Sequence, residues 1–120
     1  MGERLILHIH ELAPSLNVLM RLHYRSYGKL RDKWTWMVKE QALGRKVKSP
    51  QFRVHIIREY AVHPLDMDSL YGSCKAPLDA LRYANVIPDD NPNALVALTC
   101  QQFKVKTKKE ERTTIIIEEA

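Results

Sequence analysis

FRVHIIREYAV, residues 52–62, decides the fold. Phe52, Val54, Ile56 and Arg58 fall on one side of an extended chain, and Arg53, His55, Ile57 and Glu59 on the other. That alternation predicts a strand, and His63-Pro64 ends it because proline donates no ladder hydrogen bond. Downstream, Ser69–Ala84 has helical periodicity, kinked at Pro77 or restarting near Ala76. Asp89–Asn93 (DDNPN) is rich in turn formers. Ala94–Val105 and Thr113–Glu119 read as two further strands, with KTKKEER (106–112) as an exposed hairpin tip between them. Upstream, Arg4–His10 is a short strand. The firmer part of the next segment is a helix over Leu30–Leu43, with Gly28 as its interruption and Gly44 as its C-cap. The order β-α-β-α-β-β predicts a single two-layer α+β domain over residues 1–120, built on a mixed sheet.

Charge is divided along the chain. Residues 1–60 carry 12 Lys and Arg against 5 Asp and Glu; residues 61–120 carry 7 against 9. The whole stands at +5. A basic half beside an acidic half points to a polyanionic partner and a separate use for the acids. Cys74 and Cys100 lack Cys-x-x-Cys spacing, which gives no sign of a zinc or redox motif. Met1–Glu11 does not read as a signal peptide, and no apolar run approaches the roughly 20 residues of a membrane span. The expectation is a reduced, cytoplasmic protein with no membrane partner.

The chemistry concentrates in HPLDMDSLYGSCKAPLDALRYANVIPDD (63–90). If the chain is still extended at Asp66 and Asp68, their carboxylates face one way, about 7 Å apart, a spacing that suits a hard cation. On one helix, Leu70, Cys74, Leu78 and Leu81 form an apolar stripe, and Asp68, Gly72, Lys75 and Asp79 a second one. Asp89 and Asp90 follow in a turn whose distance from Asp66 the spacing leaves open. Lys29, Arg31, Lys33, Arg45, Lys46 and Lys48 supply cations that could hold DNA phosphates around an acidic pocket.

In this order the residues resemble the signature of RusA-type Holliday-junction resolvases: Asp66-Met67-Asp68-Ser69-Leu70, then Lys75, then Asp79-Ala80-Leu81, then Asn85–Asp90. Ser69 stands where that family more often has Asn, and the stretch from Asp68 to Lys75 is longer than in its best-known bacterial member. Pro14-Ser15-Leu16-Asn17 and Arg21 resemble the family's lead-in. The resemblance implies a RusA-like fold and a homodimer acting on branched DNA. It implies Mg²⁺, or Mn²⁺, held by Asp66, Asp68 and Asp90, with Lys75 contacting the scissile phosphate or polarising the attacking water. The implied activity is a crossover junction endodeoxyribonuclease that makes paired nicks in recombination and repair.

Blander readings compete. An isolated Asp-x-Asp is commonly a helix cap. An EF-hand fails, because Gly72 falls one position late and Pro77 stands where Glu is required. His8 and His10 share a strand face, more plainly an ordinary edge than a metal site. Trp34 and Trp36 cannot both face one core. Lys75 and Asp79 fit a plain i,i+4 ion pair. In function, the rivals are a non-catalytic branched-DNA-binding module and a flap or branch nuclease of the same fold.

Overall fold

The computed structural model describes residues 4–120, with Leu16 and Asn17 as backbone only; the Asn17 side chain of the lead-in lies outside the described residues. The elements are β1 (Arg4–Ile9), α1 (Leu16–Arg21), α2 (Tyr24–Ala42), β2 (Phe52–Tyr60), α3 (Met67–Gly72), α4 (Lys75–Tyr83), β3 (Leu95–Lys104) and β4 (Arg112–Glu119). The four strands form one mixed sheet in the order β1-β4-β2-β3. β4 runs antiparallel to β1 and to β2, while β2 and β3 are parallel. A mixed-sheet α+β fold is thus observed, and the helices line one face of the sheet.

Alternation puts the apolar residues on that face. Leu5, Leu7 and Ile9 of β1, Phe52, Val54 and Ile56 of β2, and Ile115 and Ile117 of β4 are all buried. They meet Trp34, Val38 and Ala42 from α2 and Leu70, Ala76, Ala80 and Leu81 from α3 and α4. β-Branched side chains fit the pleat, and the long side chains of α2 and α4 close over them. Trp36, two residues from the fully buried Trp34, is 60% exposed, as one helical face requires.

Three expectations are corrected and one pair of alternatives is decided. First, KTKKEER is not a hairpin tip: β2 lies between β3 and β4, so the connection passes over the end of β2. It is anchored there by Val105 N–H donating to Tyr60 O at 2.7 Å and Ala61 N–H donating to Glu111 Oε2 at 2.8 Å. Second, Gly28 does not break the helix. The break falls at Leu22–His23, where Leu22 is the C-cap of α1 and the His23 ring caps α2; Ser15 caps the other end of α1. α2 ends at Ala42, and Leu43 rather than Gly44 is its C-cap, in the left-handed region at φ 53°. Third, of the kink or restart expected within residues 69–84, the restart forms, giving two helices. The chain restarts at Lys75, and Pro77 is the third residue of α4, where a missing N–H leaves no intrahelical bond unmade. Fourth, Cys74 and Cys100 are joined by a disulfide that ties the α3–α4 junction to β3. Both are buried, so the fold unites a pair for which their spacing gave no signal.

Candidate metal and nucleic-acid site

Asp66 and Asp68 stand where β2 hands over to α3. Asp66 is the N-cap of α3 with extended backbone, and Asp68 is already helical. The fully extended geometry expected for the pair therefore does not form. Both residues are exposed. An N-cap carboxylate usually accepts from an early helix amide, yet Asp66 makes no such bond. The Ser69 N–H is taken by Asp68 Oδ1 at 2.9 Å. Among the described residues, the exposed Asp66 carboxylate is thereby left without a cap partner.

The loop carrying Asp66 is held from the sheet. Gln102 of β3 clamps the backbone of Leu65: Leu65 N–H donates to Oε1 at 2.9 Å, and Nε2 donates to Leu65 O at 2.6 Å. Arg58 of β2 donates through a terminal nitrogen to His63 O at 3.4 Å. Two inward-facing sheet residues thus fix the backbone on the approach to Asp66. The site lies past the carboxyl ends of the parallel pair β2 and β3, the position where open α/β sheets commonly place their ligands.

Lys75 and Asp90 belong to a different constellation. Lys75 Nζ is 3.5 Å from Asp79 Oδ2, so the i,i+4 pair expected from spacing is present. Asp79 is also 3.6 Å from Arg82, and Arg82 is 3.7 Å from Asp90 Oδ1. From α2, the Tyr27 hydroxyl donates to Asp79. Burial, and next the bond to the Asp79 carboxylate, push the Tyr27 hydroxyl well above its ordinary pKa. Lys75 Nζ lies 5.4 Å from the Tyr27 ring centroid. Asp89 is a turn former: its carboxylate accepts from Asp90 N–H at 2.7 Å and from Asn91 Nδ2 at 2.9 Å. Those two bonds, the backbone one first, hold its pKa below the usual carboxylate value.

Helix α4 therefore carries a charged row, Lys75–Asp79–Arg82, which Asp90 joins from the following turn through Arg82. Asp90 precedes the start of β3, whereas Leu65 is bonded to Gln102 near its end, on the order of 20 Å along the strand at ~3.3 Å per residue. The expected three-aspartate set is not assembled within one chain. Among the described residues, no group of three or more His, Cys, Asp or Glu side chains is close enough to share an ion. The stripe from Asp68 to Asp79 is interrupted for the same reason, the break at Ser73–Cys74.

The six expected DNA-binding cations divide. Arg31 stacks on Tyr83, its guanidinium carbon 4.4 Å from the ring centroid, and lies 3.5 Å from Asp32. Lys33 pairs with Glu11 at 2.7 Å. Arg45 bonds the last carbonyls of α2, donating to Ala42 O at 2.9 Å and Gln41 O at 3.0 Å. Lys29, Lys46 and Lys48 are exposed. Arg45 and Lys46, with Lys39, line an open cleft of about 420 Å³ against Ala84–Val86, toward the Asp90 end. His8 Nδ1 meets Thr114 Oγ1 at 3.2 Å across the β1–β4 pair. No described helix is long and apolar enough to cross a membrane.

Tyr27, Gln102 and Arg82 were not singled out from the sequence. Tyr27 and Gln102 act on partners 52 and 37 residues away, beyond any local pattern. Arg82 had a signal, its i+3 spacing from Asp79. No protein-family model matches the chain, and no curated protein matches it.

Proposed function

We propose that the protein is a Mg²⁺-dependent, structure-specific DNA endonuclease that resolves four-way junctions by paired nicks. The observation that carries this reading is the pair Asp66 and Asp68 at the carboxyl end of β2. The two carboxylates are exposed, and among the described residues Asp66 makes no cap bond, next to a backbone stretch that Gln102 and Arg58 hydrogen-bond. The order of acids and lysine along residues 66–90, which resembles the RusA signature, adds the substrate class.

Two exposed carboxylates at the start of α3 suit Mg²⁺, which keeps several of its waters and commonly takes only one or two protein carboxylates. Mn²⁺ takes the same oxygen donors. A divalent ion there would lower the pKa of an attacking water and stabilise charge on the phosphate undergoing substitution. Lys75, on the first turn of α4 and 54% exposed, is free to turn from Asp79 toward a phosphate. Asp90 is too far along β3 to join Asp66 within one chain. In this reading it comes from the other subunit of a twofold pair, the commonest closed assembly. A twofold pair also sets two sites against two opposed strands.

Mixing two inactive variants tests the arrangement. Asp66→Asn and Asp90→Asn should each abolish nicking of a labelled synthetic junction. Refolded together at equal amounts, they should restore about a quarter of the wild-type sites, because half the dimers then hold one intact site. No recovery would place all the acids in one subunit or remove Asp90 from the site.

One observation favours the rival, a non-catalytic branched-DNA-binding module: Lys75 and Asp90 are both engaged in ion pairs along α4. Junction binding without Mg²⁺-dependent nicks would establish it.

A further inference from the structure

Arg58 is a cation buried in an apolar strand. It shares the inner row Ile9–Thr113–Arg58–Gln102 across the four strands and is only 9% exposed. One terminal nitrogen bonds His63 O, while Nε is buried with no hydrogen-bond partner among the described residues. Among the described residues Arg58 is in none of the ion pairs, and the Glu111 carboxylate beside it is bonded to the backbone of Ala61. Burial draws its pKa below the ordinary value, with Glu111 opposing. A guanidinium nevertheless stays charged at neutral pH, so this one is buried without a full counter-charge, a costly arrangement unless an anion completes it.

The structure offers room for that anion. Arg58 lines an open cleft of about 270 Å³ with Leu12, Val62, His63, Lys108 and Glu111. At about 30 Å³ per water, this space admits a phosphate group and several waters. Arg58 lines the cleft with guanidinium N–H groups beyond the one bonded to His63 O, and the exposed Lys108 adds a point charge at the rim. His63 lies three residues before Asp66.

We propose that this cleft binds a phosphate group, with Arg58 as the buried anchor and Lys108 and His63 as rim donors. Resting on the nuclease reading above, that phosphate is a backbone phosphodiester of the DNA, flanking the one addressed by Asp66 and Asp68.

The first arm uses inorganic phosphate. The Nε–Hε signal of Arg58 in ¹⁵N-labelled protein, assigned by its loss in Arg58→Met, should shift saturably with phosphate. Sodium chloride at matched ionic strength should not reproduce the shift. Lys108→Gln, an exposed change that leaves the core intact, should weaken phosphate binding by about tenfold. No saturable shift, an equal response to chloride, or an unchanged affinity in Lys108→Gln would overturn the site. The second arm measures duplex and junction binding without divalent metal as salt is raised. Lys108→Gln should reduce the log–log slope by about one, as for the loss of one phosphate contact. An unchanged slope with phosphate binding intact would overturn the DNA assignment and leave a site for free phosphate. Saturable phosphate binding by a protein that nicks no junction would remove the nuclease reading alone. Nicking without phosphate binding would remove this site alone.

Discussion

Asp79 is held by Tyr27, Lys75 and Arg82 at once, and the proton on the Tyr27 hydroxyl links that knot to pH. It is bound more tightly in the folded than in the unfolded chain. Below the ordinary tyrosine value of 10.0 both states keep it, and stability does not vary on its account. Above that value the unfolded chain loses it first, so folded stability falls as pH rises. Denaturant melts between pH 9 and 11 should show this decline, and Tyr27→Phe should flatten it; an equal decline in both proteins would show that Tyr27 contributes none of it. Gln102 makes a different prediction. Gln102→Leu strips both bonds from the Leu65 backbone, which should cost about 1–2 kcal/mol by denaturant melt. Under the nuclease reading, kcat for junction nicking should fall with it, as the loop loses its anchor. Unaltered stability would mean water replaces the clamp. Part of this was legible beforehand. Arg58 interrupts an apolar face of β2 in the sequence itself, and a charge in that position signals special use. Gln102 carried no such signal, since its partner is set by the parallel crossover and not by neighbours in sequence.

Among the elements, strands were read well because alternation is a strict period of two: β2 begins at Phe52 as expected, and β4 differs by one residue at its start. Helix boundaries were read less well because caps outweighed propensity. Gly28 is in the body of α2, and a methyl group added there would meet only the Arg31 guanidinium, at 3.9 Å. The glycine is thus not required by space, and its left-handed freedom is unused. Gly28→Ala should raise stability by about 0.5–1 kcal/mol in chemical denaturation, the ordinary helix-interior difference. A loss of stability would mean that α2 bends or packs at this point. Pro77 shows the converse. Its place in the apolar stripe left a kink or a restart open; Ser73–Cys74 supplies the break, and proline falls harmlessly in a first turn.

At the scale of the whole molecule, strand order separates what the sequence places together. Inserting β2 between β3 and β4 turned an apparent hairpin into a crossing, and the parallel crossover sent α4 away from Asp66. Asp66 and Asp90 stand 24 residues apart in the chain, yet they lie toward opposite ends of β3. No periodicity contains that information, because it follows from which strand pairs with which. The fold class and the single mixed sheet were legible; the completeness of the site was not. The most direct measurement is nicking of a labelled synthetic four-way junction with Mg²⁺, beside a linear duplex and beside Asp66→Asn. Paired symmetric nicks on the junction alone, absent without Mg²⁺ and in the variant, are the predicted result. Tight junction binding with no nicks by the wild-type protein would contradict the nuclease assignment.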